Sequence, residues 1–317
     1  MTEPIITVEK LSRTFQKGKV KAVKNISFSI NKNEIFGLIG PDGAGKTSIF
    51  RILTTLLLPD TGFAHIAGYD MVKEYKKIRQ IIGYMPGKFS LYQDLTVEEN
   101  LHFFASIYGT NIDENYHLIE DIYNQLSPFK DRKAGNLSGG MKQKLALSCA
   151  LIHNPTIMFL DEPTTGVDPV SRKEFWVMLS KLKRKGITIL VSTPYMDEAS
   201  LCDRVALIQD GNILSIDQPG NITKQFPRSL YSIRSNQKGR IINYLRMFKG
   251  IYNCYVYGEN IHFNFEKEDH REMLVKLKKN LQHKNLFDDT IRIVEPSIED
   301  CFIEMLSGRK SNAIENG

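Results

Sequence analysis

Cysteine is scarce and unpatterned in this chain. Its four copies, Cys149, Cys202, Cys254 and Cys301, show no CxxC spacing, which argues against a metal cluster or a disulfide framework and fits a reducing compartment. Long apolar runs are missing as well. The longest, such as "ITILV" and "TIMFL", have the length of a strand, far short of the roughly 20 residues a membrane-spanning helix needs. The opening MTEPIITVEK has no basic segment followed by an apolar one, so no export signal is expected. Internal repeats and low-complexity tracts are absent. Charge of one sign is in modest excess, net +6, and Lys and Arg interleave with Asp and Glu throughout. That pattern reads as a solvated surface, with no nucleic-acid partner expected.

What is present is an ordinary globular composition, 42% apolar and 25% charged, in 317 residues, enough for about two domains. "EIFGLIG" reads as a buried strand entering a glycine-rich turn, and "KTSIFRILTTLL" as the helix behind it. In "LTVEENLHFFASIYG", Thr96 and Glu99 form a capping box. "SGGMKQKLALSCALIH" is a second helix, "TIMFLDEP" and "ITILVST" are buried strands, and "RVALIQDGNILSID" is a hairpin around an Asp-Gly turn. The expected fold is α/β, a mostly parallel sheet with a β-rich N-terminal edge and a helical insertion at about 88–150. The pattern changes near Pro227. From there the order β-α-β-β-α-β predicts a small ferredoxin-like α+β module. The domain boundaries so drawn are 1–225, 226–307 and a polar, disordered tail at 308–317.

The chemistry concentrates in two stretches. Residues Gly40, Pro41, Asp42, Gly43, Ala44, Gly45, Lys46 and Thr47, followed by Ser48, match G-x-x-x-x-G-K-[ST] between a strand and a helix. Small residues let successive N–H groups converge on phosphate oxygens, and the helix adds its positive end. Lys46 is then placed for the β/γ-phosphates and Thr47 for Mg²⁺. The strand "TIMFLDEP" ends in the second half of such a site: Asp161 to hold the metal, Glu162 to orient or deprotonate an attacking water. A tight glycine turn and a solvated pair of acids are the plainer readings of either stretch alone.

Between them lies "LSGGM", Leu137, Ser138, Gly139, Gly140 and Met141. With "LDEPTTGVD", which contains Asp168, this makes residues 4 to about 225 resemble the nucleotide-binding subunit of an ABC transporter. "VEPSIEDCFIEML" and the module before it resemble the C-terminal extension of ABC-2-type, drug-efflux ATPases. The resemblance implies ATP and Mg²⁺ as ligands, and a paired assembly in which LSGGM closes the partner's ATP site. It further implies adenine stacking on Phe15, and attachment to the inner face of the membrane through a separate permease. The surface expected to dock that permease is the helical insertion from Lys88 to about Gly135.

Two polar groups of the family's pattern are missing, and a third position differs. Gly87 stands where a glutamine is expected, and Pro194 where a histidine meets the γ-phosphate. Asp42 replaces the more usual asparagine. A slow site of its own, combined with an intact signature, favours a heterodimer with a competent second ATPase over a homodimer. Replacement of the histidine by Tyr195 or by a partner residue is the alternative within this reading. Outside it stand a non-hydrolytic ATP-binding adaptor, a non-transport ABC ATPase and a small-molecule kinase.

Overall fold

Two β-rich segments open the chain. β1 (Pro4–Phe15) pairs antiparallel with β2 (Val20–Asn31), both irregular in register. β3 (Ile35–Ile39) is buried at all five positions and feeds the glycine turn ahead of α1 (Lys46–Leu53). β4 (Thr61–Ile66) and β5 (Tyr69–Asp70) return to β1, so the first sheet has the order β2-β1-β4-β5. The β-rich edge expected from the sequence is therefore a separate antiparallel sheet. After α2 (Tyr75–Ile81) and β6 (Ile82–Met85) come three helices, α3 (Val97–Ile107), α4 (Tyr116–Leu126) and α5 (Gly139–Leu151). β7 (Ile157–Asp161), α6 (Pro169–Arg184), β8 (Thr188–Thr193), β9 (Arg204–Gln209), β10 (Asn212–Asp217) and α7 (Pro219–Lys224) follow. This computed structural model describes residues 3–315 except 17, 89, 268–270, 285 and 287–290, and only the backbone of 308–315.

The second sheet has the order β10-β9-β3-β8-β7-β6, parallel except for the β9–β10 hairpin. β3, β7 and β8 are buried at every residue, the state their apolar runs require. Ile6, Ile30, Leu38, Ile49, Phe50 and Phe159 belong to one continuous core shared by the two sheets and α1. Burying a side chain of this size stabilises by about 1.5–3 kcal/mol. The Asp-Gly turn is present, with Asp210 at φ 48° and Gly211 at φ 76°, the left-handed pair a two-residue hairpin uses.

The chain divides into two compact units, Met1–Pro219 and Gly220–Gly317. That division falls ahead of the composition change at Pro227, because Ile222 is buried and its carbonyl faces Cys301 Sγ at 3.6 Å. The second unit holds β11 (Leu230–Arg234), α8 (Lys238–Met247), β12 (Ile251–Tyr257), β13 (Asn260–Phe265), α9 (Arg271–His283), β14 (Ile291–Val294) and α10 (Ile298–Glu315). Its antiparallel order β12-β13-β11-β14 is the 4-1-3-2 arrangement of a ferredoxin-like sheet. Asp300, fully buried at the start of α10, accepts from Tyr255 (2.7 Å), His262 Nδ1 (2.7 Å) and the Ser297 hydroxyl (2.6 Å). The expected disordered tail is different in its backbone, which stays helical to Glu315. Extending an existing helix fixes only one residue per hydrogen bond, and no proline interrupts this one. Residues 316–317 and the side chains from 308 onward lie outside the described residues. Among the described residues no helix is long and apolar enough to cross a membrane.

Candidate functional site

Four neighbouring parallel strands, β3-β8-β7-β6, end on the same edge of the sheet. In that spatial order their C-terminal ends carry Gly40, Pro194, Asp161 with Glu162, and Gly87. Loops at this edge of an open α/β sheet are where such folds bind ligands. Four positions scattered over more than 150 residues of sequence thus become neighbours through strand order alone.

The phosphate loop is shaped by its glycines. Gly45 has φ 104°, and a β-carbon there would lie 2.2 Å from the Ala22 carbonyl oxygen. At Gly40 a β-carbon would meet the Ile208 carbonyl oxygen at the same 2.2 Å, so neither position admits another residue. The hairpin tip closes the loop from outside, with Gly211 N–H donating to Ala44 O (2.9 Å) and Lys24 N–H to Gly211 O (2.8 Å). Helix α1 starts at Gly45 without a side-chain cap or an acidic residue in its first turn. Its first N–H groups are left for an anion. Pro41 and Ser48 are half-buried and Asp42 is exposed.

Lys46 is 3% exposed, and its ammonium donates to Gly40 O (2.7 Å) and Pro41 O (3.0 Å). It also lies 3.1 Å from Glu162 Oε1. Three protein oxygens thus occupy the three donors that a phosphate would otherwise share. Asp161 is buried, and burial pushes its carboxyl above the ordinary carboxylate range against the hydrogen bonds from Ser192 and Thr47 that pull it down. Ser192 Oγ donates to Asp161 Oδ1 at 2.6 Å and accepts from the Glu162 N–H at 2.9 Å. Glu162 itself sits at φ 50°, a left-handed conformation that is strained for a glutamate. The Thr47 hydroxyl and the Asp161 carboxylate, joined by a hydrogen bond, are oxygen donors of the kind that fits a hard divalent cation.

Pro194 and Gly87 themselves carry no hydrogen-bonding side chain. Pro194 has neither N–H nor imidazole. The neighbouring Tyr195 ring lies under the Arg172 guanidinium, 4.0 Å from its centroid, and its N–H donates to Thr193 Oγ1. Arg172 is fixed in turn by Glu198 (3.0 Å), whose other oxygen accepts from Thr193 (2.5 Å) and Thr164 (3.1 Å). Tyr195 is therefore committed to α6. At Gly87 a β-carbon would lie 3.0 Å from the Asp161 carbonyl oxygen, tight packing that suits glycine.

The signature stretch starts a helix as the sequence predicts. Ser138 caps α5 by accepting from Met141 N–H at 3.3 Å, and Ser138 and Gly139 are exposed. Leu137 is buried beneath them, and Gly140 packs so closely on Ser171 that a β-carbon would come within 2.7 Å of its hydroxyl. Asp168 caps α6 through the N–H groups of Val170 (3.1 Å) and Ser171 (3.0 Å). Hydrogen bonds from Ser171, then from Val170, hold its carboxyl below the usual range despite some desolvation. Phe15, half-buried, closes β1.

Sequence reasoning missed Ser192, the Thr193–Glu198–Arg172 network, Ala22 and the hairpin tip. Their roles come from contacts across the fold, and no local pattern marks them. It also missed a cavity of about 500 Å³ lined by Leu56, Tyr84, Pro86, Leu91, Phe104 and Tyr108, between the end of β6 and the inserted helices.

Comparison with known proteins gives one answer. Residues 23–165 match the family model described as ABC transporter. The chain is 36% identical over 315 residues to a probable multidrug ABC transporter ATP-binding protein, YbhF of Escherichia coli, covering 97% of this chain and 53% of that protein. It thus spans about half the length of that relative. The linearmycin resistance ATP-binding protein LnrL of Bacillus subtilis is 30% identical over 312 residues, covering 96% of this chain and 99% of the relative. Among solved structures, cbiO1 from Clostridium perfringens, part of the ABC transporter complex cbiONQ, matches with a TM-score of 0.63. Identity there is 25%, over 70% of this chain and 92% of that one.

Proposed function

The chain belongs to the ABC transporter ATP-binding family, and from that premise we propose that it is the ATP-binding subunit of an exporter whose own ATP site turns over slowly. The observation that carries this is the edge formed by β3, β8, β7 and β6. There a complete phosphate cradle and two acids stand beside two positions, Gly87 and Pro194, that offer no polar side chain.

In this reading the N–H groups of residues 43–48 and Lys46 bind the phosphates, and Lys46 exchanges its carbonyl partners for phosphate oxygens. Thr47 and Asp161 would hold Mg²⁺, which would supply charge neutralisation to the phosphates. Ser192 fixes the Asp161 carboxylate, and Glu162, released from Lys46, orients the attacking water. Two polar groups that would steady the transferring phosphate are missing, each typically worth about 10²–10³ in kcat. Binding is retained because the cradle does not use them.

The exposed Ser138 and Gly139 at the start of α5 suit an anion presented by a second subunit. That subunit would be a competent ATPase, whose site this signature completes, in a heterodimer; Asp168 belongs to the same face. The cavity between β6 and α3 is apolar and rimmed by exposed Leu56, Ile107 and Tyr108, and it suits a helix end of a membrane permease. The protein would then work on the inner face of the membrane, attached through that permease. The exporter reading is supported by the words multidrug and resistance in the names of YbhF and LnrL. A non-hydrolytic adaptor is the second reading, favoured by Pro194 and by the pairing of Lys46 with Glu162.

Titration with a fluorescent ATP analogue tests the binding site. Lys46→Ala is expected to weaken affinity about ten- to hundredfold, the worth of charge-assisted hydrogen bonds. Unchanged affinity would remove the assignment. Steady-state hydrolysis with the partner ATPase tests the asymmetry: turnover should fall far more with Ser138→Arg than with Glu162→Gln. The opposite order would make this chain's own site the working one, and no turnover in any pair would leave the adaptor.

A further inference from the structure

Arg13 and Phe15 lie two residues apart at the end of β1, with a register irregularity between Arg13 and Thr14. The guanidinium carbon sits 5.2 Å from the Phe15 ring centroid, within cation–π range. Loop residues after α1 fix it there by its edges: Arg13 Nη1 donates to Leu58 O (3.1 Å) and to Asp60 Oδ1 (2.8 Å). Asp60 is itself tied to β1, accepting from the Thr14 N–H (2.7 Å) and the Thr14 hydroxyl (2.6 Å) on its other oxygen. One carboxylate therefore orders the residues on both sides of the Arg13–Thr14 peptide. Arg13 Nε is buried with no hydrogen-bond partner among the described residues, so the cation is desolvated on that side, which strengthens its attraction to the ring.

Each residue advances the chain by about 3.3 Å, so Arg13 reaches Phe15 from the N-terminal side of β1. Phe15 is the last residue of that strand, and Gln16 turns away at φ 53°. No further residue of β1 follows Phe15, which is half-buried.

We propose that Arg13 is a positioning residue for base recognition: it clamps and polarises the Phe15 ring from behind, so that the opposite face receives the adenine of the bound nucleotide. This rests on the reading of the site as an ATP site. A ring locked before binding loses less freedom when the base stacks. A cation behind it also withdraws electron density, which favours an electron-rich purine in front. The phosphates, held by the Gly40–Ser48 cradle, do not touch this clamp.

Calorimetric titration of the full chain with Mg-ATP and with inorganic tripolyphosphate separates the two contributions. Arg13→Gln keeps a hydrogen-bonding side chain for Asp60 but removes the cation, and it is expected to weaken ATP about two- to fivefold, the range of an exposed cation–π contact. Tripolyphosphate affinity should be unchanged, and Arg13→Lys should recover most of the loss. Equal weakening of both ligands would make Arg13 a fold-keeping or phosphate-binding residue and overturn the proposal, as would unchanged ATP affinity. Arg13→Ala serves as a second variant, with its thermal unfolding midpoint recorded, so that a general loss of structure is recognised by its effect on tripolyphosphate. Failure of the underlying reading looks different: the unaltered chain and Lys46→Ala would then bind ATP equally poorly.

Discussion

At the scale of single residues, the two departures from the family pattern differ in how reversible they are. Pro194 is half-buried at the end of β8, where a side chain can be exchanged without disturbing the strand. Pro194→His is expected to raise single-turnover hydrolysis by about 10- to 100-fold at protein concentrations that drive pairing, a fraction of the 10²–10³ typical of one preorganised donor. Adding Glu162→Gln should abolish the gain. If the histidine variant hydrolyses no faster than the parent, the absence of an imidazole at this position is not what limits the site. Gly87→Gln has less room, since its β-carbon would start 3.0 Å from the Asp161 carbonyl oxygen. That substitution should add little alone, because Asp161 must shift before the new amide can help. The site residues in GPDGAGKT and TIMFLDEP were legible because their chemistry is carried by contiguous spacing. Ser192 was not: a serine in a buried strand resembles any other strand residue until its partner across the sheet is known.

At the scale of elements, the most local signals are the ones that held. Thr96 and Glu99 form the capping box read from the sequence, with Thr96 N–H donating to Glu99 (2.7 Å) and Glu99 N–H to Thr96 (3.1 Å). Thr96→Ala should lower stability by about 1 kcal/mol, read as a shift in the urea midpoint without a change in slope. The Glu99 carboxyl is held below its usual range chiefly by the Thr96 N–H. Its contribution is therefore complete above the ordinary glutamate pKa of 4.5 and fades as pH falls through the lower, folded value. The helix read as KTSIFRILTTLL ends earlier, at Leu53, and Thr55 takes φ 61°. Short elements escaped altogether: β4 exists through pairing with β1, β5 through pairing with β4 and α2 through packing of Ile78, signals too brief for periodicity to reveal. Strand order was equally hidden, because a crossover sheet places β8 between β3 and β7 by long-range pairing that no window of sequence contains.

At the scale of the whole molecule, the two compact units should separate by function. Every residue assigned here to nucleotide lies before Pro219. A chain ending at Gln218, which keeps β10 intact, is expected to bind ATP and to gain thermal stability from it, as mass action requires. A folded fragment that ignores ATP would show that the second unit contributes to the site. The second unit has its own vulnerable point in Asp300. Burial pulls that carboxyl upward, but bonds from His262, Ser297 and Tyr255 together outweigh it and hold it below 3.8. The stabilisation is present above that ordinary value and is lost as pH falls through the folded one. Asp300→Asn should destabilise this unit by about 3 kcal/mol, the cost of breaking a buried polar network, measured as an earlier thermal transition.

The hairpin tip that closes the phosphate loop bears on the order in which the protein is made. Gly211 touches both Ala44 and Lys24, and the loop's strand β3 lies between β8 and β9. A ribosome therefore delivers the phosphate-binding motif early but its walls late. At about 5–20 residues per second, on the order of ten to thirty seconds pass between translating Gly45 and translating Gly211. During that interval the nascent chain carries the motif without the site, and nucleotide cannot help it fold. Ligand-assisted folding has to wait until the β9–β10 turn has left the exit tunnel.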